Sequence, residues 1–185
     1  MWPILVVDLE ATCADDGSIP PEEMEIIEVG ACWVNEWCHI SDTFQSFVRP
    51  SRRPVLTNFC TALTSIAQEQ VDAAPNFVCV AEDLRVFVER HRGPSSSWGS
   101  WGAYDRKQLE RECVQLGIEP LAGLPHQNLK RLFSKRQRIG KEVGMAMALR
   151  MSGIQPEGQH HRALDDACNI AKLLPWALGE KSLKG

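Results

Sequence analysis

The stretch Ile4-Leu5-Val6-Val7-Asp8-Leu9-Glu10 decides how this chain is read. Its first four residues form a short apolar run of buried-strand character. Such a run ending in Asp-x-Glu is chemically unusual. Side chains two apart in a strand point to the same face. Asp8 and Glu10 therefore stand side by side, at the end of a strand otherwise made of core. Two carboxylates that close repel unless a cation lies between them or one keeps its proton. Hard oxygen ligands with apolar support suit Mg²⁺ or Mn²⁺. Read alone, the pair fits two solvated charges at a strand end equally well, so the rest of the chain has to decide.

A length of 185 residues suits one domain with a good core. The formal net charge of −4 carries no global basic signature for nucleic acid. It does not exclude such a substrate, because bound cations neutralise a carboxylate-rich site. No apolar run approaches the length of a membrane span. Met1-Trp2-Pro3 leads straight into the first strand, without a basic region or cleavage site. No membrane partner and a cytoplasmic location are expected. Seven cysteines, at 13, 32, 38, 60, 79, 113 and 168, include no Cys-x-x-Cys pair. That argues against zinc, and for free thiols in a reducing cytoplasm over a disulfide framework.

Downstream of an acidic loop, Ala14 to Glu23, the apolar run Ile26 to Val34 predicts a central strand. Thr43 to Val48 alternates and predicts a third. The short connection favours an antiparallel meander. Arg49 to Pro54 reads as an extended basic loop, followed by short helices over Asn58–Leu63 and Ser65–Val71. Phe77, Val80, Ala81, Leu84, Phe87 and Val88 fall at helical spacing, with Pro75 suited to the first turn. Ser96 to Trp101 predicts a strand. A helix starts near Asp105, with Leu109, Cys113 and Leu116 on one face and Gly117 ending it. A short helix with a basic end is expected from Asn128 to Phe133. Val143, Met147, Met151 and Ile154 mark the next, and a last helix runs from about Arg162 to Leu178. Strands first, then strand and helices in alternation, make an α/β pattern with a mixed sheet.

The last helix supplies the second clue. Ala163, Ala167, Ile170, Ala171, Leu174 and Leu178 form one apolar stripe, and Asp166 lies on its margin while Asp165 falls opposite with Asn169 and Lys172. A buried carboxylate needs a partner, and a metal is one. Asp105 lies on the apolar face of its own helix, where an N-cap role is the simpler alternative. His161, five residues before Asp166, can take a proton from water near neutral pH. His160 reads as a surface or loop histidine.

Asp8-x-Glu10, then Asp105, then His161-x-Ala163-x-x-Asp166 resembles the DEDDh 3′→5′ exonucleases, whose fold is RNase H-like. Longer strings resemble the Eri branch, the enhanced-RNAi and histone-mRNA-end exonucleases with their bacterial relatives. They include Asp8-Leu9-Glu10-Ala11-Thr12-Cys13, Glu25-Ile26-Ile27-Glu28-Val29-Gly30, Phe47-Val48-Arg49-Pro50, Asn58-Phe59-Cys60-Thr61-Ala62-Leu63-Thr64, Trp101-Gly102-x-Tyr104-Asp105 and His160-His161-Arg162-Ala163-Leu164-Asp165-Asp166-Ala167. The resemblance covers about residues 3–178 of a single domain spanning 1–185. Ser65 departs from it, standing where a glycine is expected, and Cys168 stands where an arginine is usual.

The resemblance implies an RNase H-like mixed β-sheet flanked by α-helices. It implies a 3′→5′ exonuclease acting on 3′ ends of single-stranded RNA, or DNA, and releasing nucleoside 5′-monophosphates. Asp8, Glu10, Asp105 and Asp166 are then the ligands of two divalent cations, Mg²⁺ or Mn²⁺. Glu10 and His161 are the catalytic residues, with His161 as general base. Ala11, Thr12, Phe59, Tyr104 and His161 are the substrate-contact candidates, and Trp101 is assigned to core packing. Arg49, Arg52, Arg53, Lys130, Arg131, Lys135, Arg136 and Arg138 are candidates to guide a phosphate backbone, with a solvated surface as the alternative. A non-catalytic binding regulator on the same scaffold is the competing class, although such a protein would be expected to have lost a ligand.

Overall fold

The computed structural model describes residues 2–119, 121 and 123–183. Met1, Pro120, Ala122, Lys184 and Gly185, which the expected domain of 1–185 includes, lie outside the described residues. Alternation along the first strand, β1 (Ile4–Ala11), sets the architecture. Leu5, Val7 and Leu9 enter one apolar cluster, and Ile4 and Val6 enter a second on the opposite face. By the same period of two, Asp8 and Glu10 continue the Ile4–Val6 face.

β1 is the middle strand of five. β2 (Ile26–Val34) pairs with it antiparallel, and β3 (Ile40–Phe47) pairs antiparallel with β2. On the other side β4 (Ser97–Ser100) runs parallel to β1, and β5 (His126–Asn128) parallel to β4. The order is β3-β2-β1-β4-β5. Every residue of β2 is buried, as a strand covered on both faces requires.

Helices cover both faces. After α1 (Asn58–Thr64) and α2 (Gln68–Asp72), α3 (Phe77–His91) packs Val80, Leu84 and Phe87 onto the first cluster. There it is joined by Leu109 and Cys113 of α4 (Tyr104–Leu116). The second cluster lies under α5 (Leu129–Gln137), α6 (Met145–Met151), α7 (Ala163–Lys172) and α8 (Leu174–Ala177).

α7 comes so close to β2 that a Cβ on Gly30 would lie 2.1 Å from the Ala163 carbonyl carbon. Backbone, not a flexible side chain, fills that space. Gly30→Ala is therefore expected to destabilise the fold by about 1–3 kcal/mol or more, read as a fall in the urea midpoint. An unchanged midpoint would contradict this seating of α7.

Several expectations are corrected by long-range partners. α3 begins at Phe77, with the Asn76 side chain capping it by accepting the Cys79 N–H at 3.1 Å. Pro75 lies before the cap, where its carbonyl accepts the Arg49 N–H. On α4, Leu116 is exposed while Gln108 and Glu112 are buried. Gln108 donates to the Met24 carbonyl at 2.8 Å, and Glu112 accepts the Ile26 N–H at 2.9 Å. These two polar residues hold the chain as it enters β2. On α6 the buried face is Met145, Ala148 and Leu149, and Met147 and Met151 are exposed. Val143 and Ile154 lie outside this short helix and reach the core independently. The expected last helix breaks at Leu173 into α7 and α8. Pro175 lacks the N–H that would continue it. β5 was not expected, since His126-Gln127-Asn128 has no apolar alternation.

Candidate active site

Four carboxylates converge from three elements. β1 presents Asp8 and Glu10, and α7, lying over the same face, adds Asp166. One ligand oxygen from each of these three lies within 4.8 Å of the others. Asp105 enters from the first turn of α4. It does not cap the helix, since Ala103 holds the N-cap position. Its Oδ1 accepts the Leu9 N–H at 3.2 Å, from the residue between Asp8 and Glu10. Glu10, Asp105 and Asp166 are all buried.

Burial raises the Asp8, Glu10 and Asp105 carboxyls first, and neighbouring carboxylates raise them further. Burial and the charges of Asp166 and Glu28 push Glu10 up to about 8. Asp105 rises to about 6, burial outweighing its backbone hydrogen bonds. Asp8 is held well above the ordinary carboxylate range by burial, then by Asp105 and Glu10. A site this uncomfortable without counter-charge, built of hard oxygen donors, fits hard divalent cations.

The histidine loop is fastened to this cluster. Asp166 Oδ2 accepts the His161 backbone N–H at 3.0 Å. His160 Nδ1 lies 3.0 Å from the same oxygen, and the two imidazoles stack with centroids 4.0 Å apart. His160 is thus a cleft residue and not a bystander on the loop. Burial first, and His160 second, hold the His161 imidazole below its usual range, so it is neutral at pH 7.

The polar side of α7, expected to face water, holds the loop instead. Asn169 is buried, accepting the Glu157 N–H at 3.0 Å and donating to the Glu157 carbonyl at 2.8 Å. Asp165 accepts the Gln159 N–H at 2.8 Å. Gly158, at φ +72, lies so close that a Cβ would meet the Asp165 carboxyl carbon at 2.3 Å. Gln159 also donates to Ser65 Oγ at 2.5 Å. Ser65 ends α1 in the left-handed region, φ 56, the conformation that favours glycine there. Its hydroxyl gives it a contact glycine would lack.

Sequence reasoning assigned no role to Glu28, although a lone carboxylate in an apolar strand demands a partner. Glu28 is fully buried on β2, in register with Glu10 on β1. Its oxygens accept Arg162 Nη2 at 3.0 Å, Arg162 Nε at 3.1 Å, the Ala163 N–H at 3.1 Å and Gln45 Nε2 at 2.5 Å. Arg162 also lies over the Phe47 ring. Glu28 and Gly30 together seat the start of α7, two residues after His161.

The carboxylates and both histidines line a cleft of about 440 Å³. Ala11 and Tyr104 border it, as do Leu63, Met24 and Trp101. Trp101 serves the core as well, packing on Phe133 and donating Nε1 to the Val143 carbonyl at 3.0 Å. Thr12 and Phe59 do not line the cleft. Thr12 is buried, and its Oγ1 accepts the Glu25 N–H at 2.9 Å. Phe59 sits one turn before Leu63 on α1, partly exposed. Of the basic loop, Arg52 pairs with Glu25 and Arg53 with Glu23. Glu25 also gathers the backbone N–H groups of Ser51, Arg52 and Arg53.

A five-stranded mixed sheet between helices, with an acidic cluster and a histidine loop at the edge of its middle strand, defines the RNase H-like nuclease class. Residues 5–174 match the exonuclease family RNase_T, and the chain belongs to that family. Among curated relatives, the human "3′-5′ exoribonuclease 1" is 29% identical over 178 residues, covering 92% of this chain and 50% of its own. The "3′-5′ exonuclease eri1" of Schizosaccharomyces pombe (strain 972 / ATCC 24843) is 30% identical over 199 residues, covering 92% and 66%. The chain thus spans between half and two thirds of these relatives. Among solved structures, the nuclease domain of 3′hExo, described as a DEDDh family member bound to rAMP, superimposes with a TM-score of 0.81 at 28% identity. That match covers 96% of this chain and 92% of the other.

Proposed function

We propose that this chain is a divalent-cation-dependent 3′→5′ exonuclease acting on single-stranded nucleic acid, with RNA preferred. The observation that carries the reading is the convergence of Asp8, Glu10, Asp105 and Asp166 beside His161 in one cleft. Asp8, Glu10, Asp105 and Asp166 would hold two divalent cations. When bound, these supply charge neutralisation at the scissile phosphate and acidify a water. The His161 imidazole accepts the proton of that attacking water, and its backbone N–H on Asp166 fixes where the ring stands. The water oxygen bonds to the terminal phosphorus. The bond to the 3′ oxygen of the preceding nucleotide breaks, and that oxygen takes up a proton. The product is a nucleoside 5′-monophosphate.

Ala11, Met24, Leu63 and Tyr104 offer apolar wall to the terminal sugar and base. Stacking on Tyr104 would contribute about 1–3 kcal/mol. RNA preference is supported by the relatives, whose names are those of exoribonucleases. The seven unpaired thiols support the expected reducing, cytoplasmic setting. Among the described residues no helix is long and apolar enough to cross a membrane.

The test is a 5′-labelled single-stranded RNA and its DNA counterpart, incubated with Mn²⁺, Mg²⁺ or EDTA. A ladder shortening from the 3′ end, with nucleoside 5′-monophosphate released and EDTA abolishing both, is expected. His161→Ala should lower kcat by about 10²–10⁴-fold, the usual contribution of a positioned base. Folded wild type that shortens neither strand with metal supplied would sink the reading.

A further inference from the structure

The cleft poses an electrostatic problem for its own substrate. Four carboxylates surround the place where a phosphate must arrive, and the chain as a whole is negative, at −4. One segment has the opposite character. Residues 129–141, Leu-Lys-Arg-Leu-Phe-Ser-Lys-Arg-Gln-Arg-Ile-Gly-Lys, hold six cations and no acidic residue. Without them the remaining formal charge is −4 − 6 = −10. In contrast to Arg52 and Arg53, none of the six has a carboxylate partner among the described residues.

Their placement is ordered. At about 100° per residue, Lys130, Arg131 and Lys135 share an arc of about 140° on α5, opposite the buried Leu129 and Phe133, and Arg138 follows as the exposed left-handed cap of that helix. The Ser134 hydroxyl donates to the Lys141 carbonyl at 2.6 Å, which folds the following loop back beside the helix. Arg136 leaves this face and packs against Gly179. Lys130, at one edge of the arc, reaches the residue beside the cleft-lining Trp101. A Cβ on Gly102 would lie 3.9 Å from Lys130 Cδ. The neighbouring Trp101 packs on Phe133 of α5 and bonds Val143, while Trp101, Gly144 and Met145 line the cleft. α5 and its loop are therefore the back of one cleft wall, with their cations turned outward from the rim.

We propose that Lys130, Arg131, Lys135, Arg138 and Lys141 form an upstream subsite. It holds the phosphate backbone of the single strand leading into the cleft. The proposal rests on the exonuclease reading above and extends it to substrate length. A strand only a few nucleotides long ends inside the cleft and gains nothing from α5. A longer strand reaches the cations and releases counterions on binding, each contact adding about 0.7 to the slope of log affinity against log salt.

The test compares wild type with a variant carrying K130A, R131A, K135A, R138A and K141A, on oligouridylate of three and of twenty nucleotides. In the variant, the ratio of kcat/KM for the 20-mer to that for the trimer should fall at least 10-fold. Anisotropy binding of the 20-mer, with Ca²⁺ as the cation, should lose about 2–3 from its salt slope. The melting temperature, measured beside it, should hold, since these side chains make no core contact. A variant that keeps both the length preference and the salt slope overturns the subsite, leaving these cations a solvated face. A wild type that cleaves neither length overturns the exonuclease reading instead, and the binding slopes still decide the subsite.

Discussion

Asp8→Asn is expected to stop nucleotide release and, at the same time, to make the metal-free protein more stable. Loss of one cation ligand removes several kcal/mol of transition-state charge stabilisation. At 1.36 kcal/mol per factor of ten, that is a fall of about 10³-fold or more in kcat. The stability effect follows from the raised carboxyls. Their ordinary values lie near 4, whereas in the folded chain without cations Asp105 stands at about 6 and Glu10 at about 8. Between those limits the folded state binds more protons than the unfolded state. The stability contributed by this proton uptake is fully present below the unfolded values and is lost as pH rises through 6 and 8.

Wild type in EDTA should therefore melt at progressively lower temperature from pH 5 to pH 8.5. Saturating Mn²⁺ should cancel much of that fall, because ligands that bind only the folded state stabilise it. Asp8→Asn removes one of the mutually repelling carboxyls, so its metal-free melting temperature at pH 8 should exceed that of wild type and respond little to Mn²⁺. Thermal melts with and without EDTA across this range decide the matter. A flat wild-type profile, or an asparagine variant less stable at pH 8, would show that the carboxylates are not the strained cluster described above.

The second large effect lies at Glu28. Glu28→Ala leaves the Arg162 guanidinium and the Ala163 N–H without their acceptor in a largely buried place. Removing one partner of a buried pair costs about 3–5 kcal/mol. For a chain of this size that lowers the melting temperature by about 6–20 °C. Activity should fall as well at temperatures where the variant stays folded, because Arg162 directly follows His161. A double-mutant cycle with Arg162→Leu isolates the pair. Coupling above about 1 kcal/mol is expected, with the double variant recovering stability but not turnover. Single variants that each melt within 2 °C of wild type, a shift of about 1 kcal/mol or less, would remove Glu28 from this role.

The parts of the site legible in the sequence were those governed by local period. Alternation placed Asp8 and Glu10 on one face of β1, and the helical stripe placed Asp166 at the inner margin of α7. The antiparallel β2-β3 pairing followed from the short connection between those two strands. The parts not legible depend on partners far along the chain. Asn169 and Asp165 look solvent-facing by period, yet they hold the loop at 157–159. Gln108 and Glu112 look misplaced on an inner face until the backbone entering β2 is seen to need them. His160 is a surface residue by context and a cleft residue by its contact with Asp166. The Thr12 hydroxyl, next to the acidic pair in sequence, holds the Glu25 N–H. In each case a polar side chain satisfies a buried backbone group or carboxylate that no periodicity reveals.

The acidic centre is split between residue 8 at one end of the chain and residue 166 near the other. A growing polypeptide that has released everything up to α6 carries Asp8, Glu10 and Asp105, but neither Asp166 nor His161. It lacks the helix that closes over Gly30. The acidic cluster is therefore not a local feature of the strand that begins it: it is complete only once α7 has docked over Gly30.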